Sequence, residues 1–293
     1  NKMQTNYQKD LAICVSRLKE VFKEAKIDKL EGVELKPKEN LDFNAPTEYD
    51  ISTNTIYIDN KRMAEVDDTA HAMMYGVLEA VTTDKETKNI GVSFDGKMEA
   101  LNKGINHMVA NLLIPSTDEN DTLFTSYIMA NVLTHIAGSD TVLDAYFNSN
   151  GKKMYDALLN KLGNDEIFLD TMLEFTDIEA KSLSERHYPS LLSYTQESIA
   201  RTYFKNNDLS LEEAINFKET VFTTPELAPK NERVRLYSCV NCEGYLTEQI
   251  NKIKGKNNST RKKAEGKELL DMFEEPTFAS TNGDIKNDSS RRK

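Results

Sequence analysis

Asp67-Asp68-Thr69-Ala70-His71 and Leu101-Asn102-Lys103-Gly104-Ile105-Asn106-His107 are the two stretches on which the reading of this chain turns. Each lies in a segment whose apolar residues recur at helical spacing. Met63, Val66, Ala70, Met73 and Val77 form one stripe and predict a helix over about 61–81. Met98, Leu101, Ile105, Met108 and Leu112 form the next stripe, which Pro115 ends. Residues four apart on a helix share a face, so the spacing sets Asp67 beside His71 and Lys103 beside His107. Asp and His are zinc-ligand types. A protonated lysine is not, because its ammonium has three donors and no lone pair.

Working outward, Glu48–Ile51 and Thr55–Ile58 flank Ser52-Thr53-Asn54 and predict a β-hairpin just ahead of the first helix. Upstream, Leu11, Val15, Leu18, Val21 and Phe22 mark an amphipathic helix over about 7–25, followed by a polar stretch with Pro37 and Pro46. The segment Thr82–Gly96 is polar, carries Gly91 and Gly96, and reads as a loop. Further helices are predicted around Leu123–Ile136, Thr141–Phe147, Lys153–Leu162, Asp165–Phe175, Pro189–Lys205, Ser210–Val221 and Glu243–Lys254. Ser210, with Glu213 three residues on, is a capping-box signature. From Gly255 the periodicity is lost, apart from the hexamer Glu268–Phe273, which reads as a transient helix in a tail.

Composition narrows the function. The 293 residues are 39% hydrophobic and 29% charged, ordinary values for a globular chain. The net charge of −11 is unevenly placed: Lys252–Lys293 holds 11 Lys/Arg against 7 Asp/Glu, and the remainder 26 against 41. An acidic body argues against nucleic acid as a partner, since phosphates reward clustered cations. The mixed Ser/Asn-rich basic tail is expected to be disordered and solvated. No apolar run approaches a membrane span, and no signal peptide is visible, so a cytoplasmic location is expected, although the chain opens on Asn1 rather than Met. The three cysteines, Cys14, Cys239 and Cys242, form no disulfide framework. Cys239-Val240-Asn241-Cys242 is a lone CxxC, read as two ordinary thiols.

The order of segments resembles zincin-like proteins of the gluzincin type, in a branch from low-GC Gram-positive bacteria. There a strand precedes an HExxH helix, and a second helix carries a Leu-Asn-Glu-Gly-x-Thr-Glu pattern, with an Ala-Tyr-Phe-Asn stretch further on. The matching stretches are Asn54–Asp59, Asp67–His71, Leu101–His107 and Ile136–Asn148, the last containing Ala145-Tyr146-Phe147-Asn148, so the resemblance spans about Glu48–Ile178. It implies a mainly α fold with a small antiparallel β-sheet, in which the metal site has been lost. The organisation expected is an N-terminal helix and linker (1–40), a zincin-like domain (41–180), a C-terminal helical region (181–254) and a disordered basic tail (255–293).

Carried across residue by residue, the resemblance puts Asp67 at the first His ligand and Asp68 at the catalytic Glu. His71 keeps the second ligand, Lys103 takes the place of the third, and His107 that of the acid behind it. These substitutions predict no catalysis and no metal. Lys103 is instead expected to pair with Asp67 or Asp68, leaving a scaffold that binds a peptide or protein, with Thr55–Asp59 as an edge strand for the partner. Two alternatives stand beside this reading. One is a divergent zinc-dependent hydrolase with Asp67, His71 and His107 as ligands and Asp68 as base; the other is a structural domain of a larger polypeptide. His135 and the Met73-Met74 pair read as packing residues, and His187-Tyr188 as a surface loop. The sequons at Asn120, Asn257, Asn258 and Asn287 carry meaning only in a secreted chain.

Overall fold

A computed structural model of the chain describes residues 2–116, 124–181, 190–222 and 232–273. Its organising element is helix α3 (Thr69–Val81), in which every residue from Ala70 to Val81 is buried. A helix that is apolar nearly all round has to be surrounded. Helix α1 (Lys2–Val21), strand β2 (Thr47–Asp50) and helix α4 (Glu99–Leu113) pack against it, with the short 3-10 turn Ile27–Leu30 beside them. Gly76 permits this closeness, because a Cβ there would lie 2.7 Å from Cγ2 of Ile56.

The predicted hairpin is present: β2 runs antiparallel to β3 (Thr55–Ile58), with Thr47 opposite Ile58 and Asp50 opposite Thr55. The sheet is mixed, however, rather than antiparallel. A third strand, β1 (Glu34–Pro37), pairs in parallel with β3, setting Glu34 against Thr55 and Pro37 against Ile58. It comes from the stretch read as polar linker, where Val33 and Leu35 alternate toward the core between charged neighbours. The strand order β1-β3-β2 makes β3 central, so Thr55–Asp59 is not an edge strand.

The single helix predicted over 61–81 is two helices, α2 (Asn60–Glu65) and α3, separated by Val66–Asp68. Two aspartates set where the helices start, and Asp68 causes the break. Asp59 accepts from the backbone N–H groups of Lys61 and Arg62, and Asp68 from those of Ala70 and His71. Each starts its own helix, and a side chain that satisfies orphan N–H groups competes with continuation of the helix through it.

Beyond a loop that includes Gly91 and Gly96, Met98 adopts a left-handed conformation (φ 65°) and launches α4. Then follow α5 (Phe124–Ala137), α6 (Ser139–Phe147), α7 (Gly151–Lys161), α8 (Glu166–Lys181), α9 (Ser190–Asn206) and α10 (Leu211–Phe222), close to the ranges expected from periodicity. The Ser210–Glu213 box forms as written: Glu213 N–H donates to Ser210 Oγ at 3.1 Å, and Ser210 N–H to Glu213 Oε2 at 2.8 Å. Helix α11 (Glu232–Phe273) carries the CxxC. The chain divides into compact units at 1–250 and 251–293. In the second unit the chain is helical as far as Phe273, where disorder from residue 255 was expected. Its Lys, Arg and Glu residues are good helix formers, and Arg261 pairs with Glu265 one turn on at 2.9 Å.

Helices α4 and α5 meet through Gly104, where a Cβ would stand 2.1 Å from the carbonyl oxygen of Ser126 and 2.7 Å from Cβ of Ala130. Gly104→Ala is therefore expected to lower stability by about 2–3 kcal/mol through overpacking, despite alanine's better helix propensity, as read by chemical denaturation.

Candidate functional site

The break at 66–68 rearranges the site read from sequence. Asp67 is exposed and precedes α3, so it does not share a helical face with His71. Asp68 is the α3 cap, its carboxylate turned to backbone N–H groups. His71, Lys103 and His107 are all buried. They belong to two separate clusters, one around Glu79 and one around Tyr75.

In the first cluster, Lys103 Nζ donates to Glu79 Oε1 at 2.5 Å, with 9% and 3% of the two side chains exposed. The partner expected from sequence, Asp67 or Asp68, is therefore replaced by an acid about three turns further along, Glu79 in α3. The same Glu79 oxygen accepts from Asn106 Nδ2 at 3.1 Å, and the other accepts from the backbone N–H of Tyr49 in β2 at 2.9 Å. Tyr146, in the Ala-Tyr-Phe-Asn stretch, donates its hydroxyl to Asn106 Oδ1. Burial pushes the Tyr146 phenol well above its ordinary range. Burial also presses the Lys103 ammonium toward neutrality, but the carboxylates of Glu79 and Glu48 outweigh it and hold the group above its ordinary value. Sequence reasoning missed Glu79, although the signal was there: it is the one charged residue in the run Thr69–Val81.

Lys103 and Glu79 form part of the lining of an open cleft of about 280 Å³. Asp42, Glu48 and Tyr49 line it together with Lys88 and Asp95 of the loop leading into α4 and Glu99 at the start of α4. Glu48 is held by the backbone N–H of Asp42 at 3.1 Å. Burial raises its carboxyl pKa; Lys103 opposes the rise and Glu79 adds to it. Asn102 shapes the rim by accepting from the N–H of Val92 at 3.0 Å, close against Gly91 (φ 56°).

The second cluster is a hydrogen-bonded chain whose proton positions follow from its end. His71 Nδ1 lies 2.6 Å from the carbonyl oxygen of Ile114, which only accepts, so that nitrogen carries the hydrogen. In neutral His71, Nε2 then accepts from the Tyr75 hydroxyl at 2.9 Å. The Tyr75 oxygen accepts in turn from His107 Nδ1 at 3.1 Å, and His107 Nε2 accepts from Asn111 Nδ2 at 2.9 Å. The Tyr75 and His107 rings stack at 22° with centroids 6.0 Å apart, and Tyr127 lies 4.7 Å from His107. Burial lowers the His107 pKa to about 4.

Zinc in the arrangement implied by the resemblance does not fit these residues. Lys103 at the third-ligand place is an ammonium bonded to Glu79, and Asp67 lies outside the helix. Among the described residues no three His, Cys, Asp or Glu side chains converge on a metal-sized space. His135 is half-buried against Phe217, and Met73 and Met74 are fully buried core residues. His187-Tyr188 lies outside the described residues, as does the side chain of Cys239. Among the described residues no helix is long and apolar enough to cross a membrane. Comparison of the chain with protein-family models, curated proteins and solved structures finds no match.

Removing one partner of a buried ion pair strands the other. Lys103→Met and Glu79→Gln are each expected to cost about 3–5 kcal/mol, with the double variant less destabilised than the sum by at least about 1 kcal/mol in denaturant titrations. For His107 the pH dependence has a definite sign. The folded pKa is depressed, so its contribution is complete above about pH 6.5 and is lost as pH falls toward about 4. Between those limits wild type is expected to lose about 3 kcal/mol relative to His107→Gln, when the two are unfolded at a series of pH values.

Proposed function

We propose that this chain is a non-catalytic, zincin-like binding module that holds a peptide or protein segment in the cleft over Lys103 and Glu79. The observation that carries this reading is the buried Lys103–Glu79 pair joining α3 to α4. A salt bridge there supplies the cohesion between helices that a metal supplies in an active zincin, without a Lewis acid. The pairing supports the metal-free reading with Glu79 in the role expected of Asp67 or Asp68.

The cleft suits an extended segment. Lys103 has three N–H directions, of which Glu79 takes one, so a peptide carbonyl is a complementary group at the cleft floor. The walls carry Asp42, Glu48, Asp95 and Glu99 against Lys88, which favours a segment with basic side chains. The rim strand is β2 rather than Thr55–Asp59, and its Tyr49 N–H is already committed to Glu79. Recognition therefore rests on side chains more than on strand addition.

A degenerate fluorogenic peptide library tests the reading. The expected result is no turnover with or without added zinc, together with amide chemical-shift changes confined to Asn89–Gly96, Asn102 and Tyr49. Zinc-dependent cleavage abolished by Asp68→Asn, which keeps a capping residue, would replace this reading with the hydrolase that uses Asp67, His71 and His107. Absence of both turnover and shift changes would leave a structural domain.

A further inference from the structure

We propose that the exposed face of α11 carrying Lys256, Lys263 and Lys267 is a binding surface for the phosphate backbone of double-helical DNA, engaged without regard to base sequence. The proposal concerns residues 252–268 alone and does not depend on how the cleft over Lys103 and Glu79 is read.

The first observation is the placement of charge. The acidity that argues against nucleic acid lies in residues 1–251, whereas residues 252–268 carry seven Lys/Arg against two Glu. Residues 254–265 of α11 are exposed without interruption, as are Lys267 and Glu268. With 3.6 residues per turn, Lys256, Thr260, Lys263 and Lys267 fall within about 60° of one another. Glu265 and Glu268 fall on the far side, where Arg261 bonds Glu265 at 2.9 Å. The lysine row is therefore a cationic face with no acid set into it.

The second observation is how little holds this helix. Exposed on all sides, it has no apolar face packed against a neighbour, which is the ordinary support of a helix. Gly255, Asn257, Asn258, Ser259 and Thr260 are weak helix formers. Ser259 and Thr260 turn their hydroxyls back onto the carbonyls of Gly255 and Lys256, at 3.0 and 3.1 Å. Lys263 and Lys267, four apart, set like charges on one face, which is unfavourable in a bare helix. A polyanion laid along the row removes that repulsion and favours the helix.

Shape and chemistry then select among polyanions. From Lys256 to Lys267 the row runs about 16 Å, a length over which one strand of duplex DNA presents about five phosphates. Single strands are commonly held by bases stacked on aromatic rings, and residues 252–268 contain none. Helices that lie in a membrane surface insert an apolar face, and here the apolar side chains are Ile253 and Ala264 alone. Arg261, Asn257 and Asn258 are of the types that read base edges, but they project off the row, so the contacts fall on phosphates.

Fluorescence anisotropy of a labelled DNA duplex of mixed sequence, titrated with the full chain, tests this. The expected result is saturable binding at about 50 mM salt, with log K falling against log salt at a slope of about −3, one counterion for each lysine. Amide hydrogen exchange is expected to slow in residues 252–268 when duplex is added. The variant with Lys256, Lys263 and Lys267 all changed to Gln is expected to bind at least about tenfold more weakly and to lose most of the salt slope. The variant with Lys254, Arg261 and Lys262 changed to Gln removes the same charge from the other faces and is expected to lose less than about threefold. Should the row variant lose its helix, the salt slope and exchange pattern of wild type decide the matter. Equal losses in the two variants overturn the proposal, because they reduce it to overall charge. Absence of saturable binding overturns it, as does equal affinity for a single strand of the same length. Tighter binding to phosphatidylserine vesicles than to the duplex overturns it too, because that gives the face to a membrane.

Discussion

Where α3 passes beneath β2 and across α4, one carboxylate holds three elements together. Glu79 takes the ammonium of Lys103, the amide of Asn106 and the backbone N–H of Tyr49. A charge this deep is tolerated only when paired and fully hydrogen-bonded, because desolvating either ion alone costs several kcal/mol. The geometry of α3, α4 and β2 therefore has to agree at one point, and the polar network specifies the packing more than it stabilises it.

Around that point the fold depends on small residues where elements close. Gly76 lets α3 lie against Ile56 and Thr47, and Gly104 lets α4 meet the backbone of α5 at Ser126. Both glycines sit within helices, where the residue is ordinarily unfavourable. Close approach is the compensating reason. The same closeness draws Tyr146 of α6, forty residues beyond Asn106 in the chain, into the network, so the Ala-Tyr-Phe-Asn stretch contributes a buried hydroxyl to it.

Much of the fold was legible in local pattern. The hairpin followed from alternation around Ser52-Thr53-Asn54, the helices from apolar spacing, and the start of α10 from Ser210 and Glu213. Strand β1 was less visible, because four residues with two outward charges and a terminal proline carry little periodicity. The break between α2 and α3 was obscured for a different reason. The stripe Met63–Val77 continues in phase through it, while the capping power of Asp59 and Asp68 acts on individual backbone groups that a periodicity does not register.

The sequence by itself determined two helices, and that His71 would lie on one and Lys103 and His107 on the other. Only the tertiary structure decided what those residues meet. An i, i+4 spacing says which side chains share a face, but the partner across a helix pair depends on axial offset, and here the offset sets Lys103 opposite Glu79 and His107 opposite Tyr75. Asp68 was drawn out of the helix by backbone hydrogen bonding, leaving Asp67 exposed ahead of it, and a buried cation took the acid that remained within its reach.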